Sequence, residues 1–263
     1  MSAGDRIPAD DRGFTLGDGL FETLLAVEGR VIALDRHLAR LRAGCEAIGL
    51  PPPLDADVER AIEPALATMA GLARVALRLS YSAGSGGRGL DRPPAPAPRL
   101  LATAAPAPAP GRPLKLITAS TRRNEGSAVS RLKSLSYLDS VLARREARAK
   151  GADEALMLNN RGELASAAAA NLFWLEGRSL FTPALECGVL AGVVRAALVA
   201  RAGAREVRTG PEALERADAI FLTNSLIGLA PVAELDGRGF AAHPRLQALA
   251  ELVADLVPPA AEA

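Results

Sequence analysis

An α+β fold in two domains is predicted by three features of the sequence. Short runs of alternating apolar residues end in tight turns, helical spacings interrupt them without a strict strand–helix–strand alternation, and a Pro- and Ala-rich stretch at 93–113 divides the chain. We place a small N-terminal α+β domain at 1–112 and a larger C-terminal domain at 113–263. A chain of 263 residues is long enough for each to bury its own core without a metal or disulfide staple.

Taken in order, Phe21 to Val27 alternates in part as a strand, Glu28-Gly29-Arg30 turns, and Val31 to Ala33 returns, which makes a hairpin. Leu34, Leu38, Leu41, Cys45 and Ile48 follow at steps of four and three, one face of a helix, with Gly49 as its left-handed cap. Asp55 or Asp57 caps a second helix through Val58, Ile62 and Leu66, bent by Pro64. Val75, Leu77, Leu79 and Tyr81 alternate with polar or small residues, a half-buried strand that enters the glycine-rich run 84–89. Inside the Pro/Ala-rich segment only Arg99 to Thr103 fits a strand, and an edge position suits it.

The C-terminal half begins with a strand (Leu114 to Ala119) and a helix through Leu138, Val141 and Leu142 closed by Gly151. A strand (Glu154 to Leu158), a turn at Asn159 to Gly162 and two further strand segments, through Ala170 and Asn171 to Leu175, come next. Gly192 to Ala202 reads as a helix, Ala219 to Thr223 as a strand, and Leu246 to Val257 as a closing helix.

Charge and composition exclude several classes of function. Lys and Arg number 31 against 30 Asp and Glu, and the basic residues form no stripe, which argues against nucleic acid as a partner. Two cysteines and two histidines, all isolated, build neither a zinc site nor a disulfide framework. No apolar run approaches the roughly 20 residues that span a bilayer, and Met1 to Asp11 is polar, so a cytoplasmic protein is predicted.

Chemistry is available at a few positions. Lys133 stands between Leu132 and Leu135, and partial desolvation there would make its neutral amine available for imine chemistry; a snorkelling surface lysine is the alternative. Gly188 to Val193 enters a helix, where free backbone N–H groups and the helix dipole favour an anion, and Thr223-Asn224-Ser225 offers donors at a strand end. Glycine before a helix is also an ordinary turn. Arg40 could supply a cation to such a site or belong to a solvated helix face, and Arg88 could clamp a carboxylate from its glycine loop or be a loop charge. Cys45, Cys187, His37, Phe173 and Trp174 read as structural.

These motifs stand in the order found in a known family. Asp11-Arg12-Gly13-Phe14 with Gly17 to Thr23, His37-Leu38-Ala39-Arg40-Leu41, Lys133 to Leu138, Asn171-Leu172-Phe173 and Gly188 to Arg195 together resemble the class IV aminotransferases, the fold-type IV pyridoxal-phosphate enzymes. The likeness runs from Asp11 to Val232 and implies a D-amino-acid aminotransferase-like fold, a homodimer and a small-molecule amine or amino-acid substrate. It further implies that Lys133 carries pyridoxal 5′-phosphate as a Schiff base and acts as the catalytic base. By the same resemblance Arg40, Gly192, Val193, Thr223 and Ser225 hold the phosphate, while Arg88 and Asn224 meet a substrate carboxylate. Within the family, the runs 84–89 and 223–226 are most like the aminodeoxychorismate lyase group, which makes 4-aminobenzoate for folate biosynthesis. An aminotransferase of D-amino or branched-chain acids is the alternative.

One position departs from the family pattern. Five residues before Asn171 the family carries a glutamate that bonds the pyridine nitrogen, and here that residue is Ser166. A carboxylate keeps the nitrogen protonated and the ring a strong electron sink, whereas a hydroxyl donates most simply to an unprotonated nitrogen. That is awkward for fast transamination and compatible with an elimination driven by forming an aromatic ring. Glu163 could take the role if a bulge shifts the register, and a relative that binds the cofactor without catalysis is a third reading.

Overall fold

The structure, a computed structural model, describes residues 7–86 and 89–258. It has two compact units: one runs to Ala107 and also takes in Leu132–Ser136, and the other holds Pro108–Arg131 and Tyr137 onward.

In the first unit a short helix α1 (Arg12–Leu16) precedes strands β1 (Gly19–Val27) and β2 (Arg30–Val31). Helices α2 (Leu34–Ala47) and α3 (Asp55–Ala67) and strands β3 (Arg74–Ser82) and β4 (Arg99–Pro106) complete it. The sheet is antiparallel in the order β2-β1-β3-β4, so the Arg99 strand is an edge as its Pro/Ala-rich sequence predicts. The hairpin turn is the two residues Glu28 (φ 47°) and Gly29 (φ 75°), both left-handed, the twist that joins two strands without splaying them. Leu24, Leu77 and Leu79 from the sheet bury against Leu38, Leu41 and Cys45 of α2 and Val58 and Ile62 of α3. The cap of α3 differs from expectation. The helix already includes Asp55 and Asp57 in its first turn, where their charges favour the positive end of its dipole, and the capping position is Leu54, without a side-chain hydrogen bond.

The second unit begins with β5 (Leu114–Thr118), a single-turn α4 (Ala128–Arg131), α5 (Leu138–Ala149), β6 (Glu154–Leu158), β7 (Leu164–Ala167), β8 (Asn171–Glu176) and β9 (Ser179–Pro183). It continues with α6 (Val193–Ala202), β10 (Arg205–Val207), α7 (Glu212–Glu215), β11 (Ala219–Asn224), β12 (Gly228–Leu235), β13 (Arg238–Gly239) and α8 (Arg245–Leu252). Strand order is β10-β9-β8-β11-β12-β5-β6-β7, and β7 pairs back to β8, which closes β8-β11-β12-β5-β6-β7 into a ring. Trp174 and the stacked pair Phe173–Phe221, with ring centroids 5.1 Å apart, are buried around β8 and β11.

Two helices correct the sequence reading. The core-facing stripe of α5 is Ser140, Ala143 and Ala147, small residues that let the helix approach β6 closely, while Leu138 and Val141 are 67 % and 58 % exposed. The closing helix stops at Leu252; Pro258 disfavours helical backbone at Val257, and residues 253–257 continue as turns with Val253, Leu256 and Val257 still buried.

The segment carrying Lys133, expected with the C-terminal half, belongs to the first unit. Phe21 N–H donates to the Lys133 carbonyl (2.8 Å) and Leu135 N–H to that of Gly19 (3.0 Å), so the segment lies alongside the start of β1.

Candidate active site

Two of the candidate residues are in the first unit. The half-buried Lys133 carries its Nζ 4.3 Å from the centroid of the Phe21 ring, a cation–π contact that holds the side chain over an aromatic face. Arg40, on α2, donates from Nε and Nη2 to the two oxygens of Glu22 on β1 (2.8 and 2.5 Å). His37, three residues earlier on the same helix, meets Glu22 Oε2 through Nδ1 at 2.8 Å. Burial opposes the charge on Glu22, but the hydrogen bonds of Arg40 and His37 outweigh it and lower the carboxyl's pKa to about 2. Sequence reasoning passed over Glu22 because it is one residue of an otherwise apolar strand; its partners lie a hairpin away.

The second unit brings together Ser166, Asn171 and Thr223. Ser166 of β7 is the register partner of Asn171 on β8, and Asn171 that of Thr223 on β11, so the three side chains form one row on one face of the sheet. Asn171 Nδ2 donates to the Leu190 carbonyl (2.9 Å), tying the row to the loop ahead of α6. Gly192 caps that helix, and a Cβ built on it would meet Asn171 Oδ1 at 2.0 Å. No side chain caps α6 and its first turn has no acid, so the N–H groups of Val193 and Val194 are open in the way of any uncapped helix start. The Thr223 hydroxyl is buried and has no partner among the described residues. Open backbone donors, an unsatisfied buried hydroxyl and a glycine where a side chain is excluded fit a phosphate group.

Ser166 is buried, and its hydroxyl oxygen accepts from Arg123 Nε at 3.3 Å. Arg123 also donates from Nη2 to Ser140 Oγ (3.1 Å). Nothing local in the sequence marks this arginine. Glu163, the other residue considered for the ring nitrogen, is engaged elsewhere: Asn159 Nδ2 donates to it at 2.7 Å and Arg208 Nη2 at 2.8 Å, and these bonds hold its pKa below the usual carboxylate range.

Asn224 uses its carboxamide to build the β11–β12 turn. Its Oδ1 accepts from Leu226 and Ile227 N–H and its Nδ2 donates to the Ala169 carbonyl. Ser225 is half-buried in the same turn, and Arg88 lies outside the described residues.

The chain belongs to the class IV aminotransferase family: residues 19–235 match the family described as amino-transferase class IV, whose enzymes depend on pyridoxal phosphate. It is 31 % identical over 237 residues to the aminodeoxychorismate lyase of Bacillus subtilis, covering 86 % of this chain and 80 % of that protein. The crystal structure of 4-amino-4-deoxychorismate lyase from Pseudomonas aeruginosa is similar with a TM-score of 0.83 and 32 % identity, over 96 % of both chains. The branched-chain aminotransferase of Thermoproteus uzoniensis matches with a TM-score of 0.87 and 26 % identity, over 96 % of this chain and 90 % of that one. The fold is therefore that of the fold-type IV enzymes, and the sequence expectation of an α+β member of this family holds.

Proposed function

We propose that this enzyme is a pyridoxal-phosphate-dependent lyase that removes pyruvate from 4-amino-4-deoxychorismate to leave 4-aminobenzoate. The observation that carries the choice of lyase is Ser166: a buried hydroxyl backed by Arg123 stands at the end of the Ser166-Asn171-Thr223 row where a transaminase would need a carboxylate, and Glu163 is committed to Arg208 and Asn159.

When bound, the cofactor supplies an electron-withdrawing ring that takes up the electrons released at the substrate's α-carbon. Lys133 would hold the cofactor through Nζ, and the same Nζ would serve as the base for the proton on the substrate's α-carbon. The N–H groups of Val193 and Val194, with the hydroxyl of Thr223 or Ser225, would hold the phosphate, and Arg40 would be its cation. Ser166 Oγ would face the ring nitrogen. Arg88 would bind a substrate carboxylate, and Asn224 would shape the β11–β12 turn. The protein works in the cytoplasm as a homodimer; among the described residues no helix is long and apolar enough to cross a membrane, and exposed Leu138 and Val141 offer an apolar face to a second copy.

Incubating the purified protein, loaded with pyridoxal 5′-phosphate, with 4-amino-4-deoxychorismate tests this. Release of 4-aminobenzoate and pyruvate, with no amino group transferred to an added 2-oxo acid and with all release abolished in Lys133→Ala, is the expected result. The second reading, an aminotransferase, is favoured by the likeness to the Thermoproteus enzyme. Amino transfer from a D-amino or branched-chain acid to 2-oxoglutarate, with no 4-aminobenzoate formed, would establish it instead.

A further inference from the structure

We infer that Arg123 is a positioning residue that fixes the Ser166 hydroxyl as a hydrogen-bond donor and thereby keeps the cofactor's ring nitrogen unprotonated. The inference rests on the functional reading above. A hydroxyl has one proton to give and two lone pairs, whereas a guanidinium can only donate. The 3.3 Å contact from Arg123 Nε therefore fills a lone pair of Ser166 Oγ, and no acceptor among the described residues takes the hydroxyl's own proton.

Arg123 is held at several points. Its backbone N–H donates to the Leu158 carbonyl (2.9 Å), and Nη2 donates to Ser140 Oγ (3.1 Å) on α5. Nη2 also reaches the Ala168 carbonyl, at 3.5 Å. The guanidinium cannot turn away from Ser166 without giving up the two Nη2 bonds. Ser166 and Thr223 are two strand spacings apart in one row, about 9.5 Å, so with a phosphate held near Thr223 and the start of α6, Ser166 would be the residue of the row left to meet the ring nitrogen. There a lone-pair acceptor satisfies the hydroxyl, and the fixed positive charge of Arg123 behind it opposes adding a proton to the ring. Both effects act in one direction.

The test is the ¹⁵N resonance of the ring nitrogen in the full-length protein reconstituted with ring-¹⁵N pyridoxal 5′-phosphate, followed through neutral pH. The wild type should show the unprotonated pyridine position. Ser166→Glu should move it to the pyridinium position, Arg123→Met should bring its titration into the neutral range, and Arg123→Lys, which keeps a charged donor, should restore the wild-type signal. A purely bracing arginine would lower thermal stability in both Arg123 variants and leave the resonance in place, which overturns the inference. So does a protonated nitrogen in the wild type, a measurement that needs no variant to fold. A protein that takes up no cofactor, with no borohydride-fixed label on Lys133, overturns the functional reading and this inference together; a bound cofactor with a protonated nitrogen overturns the inference alone.

Discussion

The Asn171 carboxamide fills the space that a side chain on Gly192 would need: its Oδ1 lies 2.0 Å from where a Cβ would stand, while its Nδ2 holds the Leu190 carbonyl at 2.9 Å. The start of α6 is thus packed against a strand residue. Gly192→Ala must push the buried Asn171 aside and disturb the loop from Leu190 onward. Cofactor affinity, read from an absorbance titration, should fall by about tenfold or more, equivalent to roughly 1.4 kcal/mol. An unchanged affinity would remove this loop from the phosphate site.

Thr223 makes a two-sided prediction. Its hydroxyl is buried with no partner among the described residues, an arrangement that costs stability unless a ligand satisfies it. Thr223→Val keeps the shape and removes the unsatisfied group, so the cofactor-free protein should melt at the same temperature or higher. The same change should weaken cofactor binding by about 1.5 to 3 kcal/mol, roughly ten- to a hundredfold, the scale of a hydrogen bond to a charged group. A drop in the cofactor-free melting temperature would mean that the hydroxyl already has a structural role.

Glu22 links stability to acid. Its pKa is lowered from an ordinary 4.5 to about 2, because the bonds of Arg40 and His37 overcome its burial. A depressed folded-state pKa contributes stability that is complete above the unfolded value and is lost as pH falls through the folded one, here between about 4.5 and 2. The contribution is on the order of 3 kcal/mol. Melting temperatures measured from pH 6 down to pH 2 should fall less steeply for Glu22→Gln than for the wild type, from a lower starting value at pH 6. Parallel curves would show that this carboxylate is not a determinant of acid stability.

The two cysteines should be silent until the protein unfolds. Both are fully buried, and burial, foremost, raises each thiol's pKa to about 11; Glu163 adds to the effect at Cys187. Little thiolate forms at neutral pH, so a disulfide-exchange reagent should titrate neither in native protein and both in denaturant. Rapid modification of either under native conditions would show that its site opens.

Much of this molecule was legible along the chain because its signals are local. The alternation through Val75, Leu77, Leu79 and Tyr81, the helix from Leu34 ending before a left-handed Gly49, and the glycine that starts α6 each depend on neighbours a few residues away, the range over which backbone geometry and one buried face act. The family motifs are of the same kind, since each is a short run with its own turn or cap. Tertiary structure decided what pairing at long range decides. Arg123 meets Ser166 across 43 residues of sequence, the Glu22 carboxyl is held below its usual pKa only because a helix from the far side of a hairpin delivers Arg40 and His37, and the Lys133 segment joins the first unit through β1. On α5 the apolar residues that promise a core face are exposed, and serine and alanine lie inside, because the closeness of helix to sheet, set by the whole packing, selects small side chains over large ones.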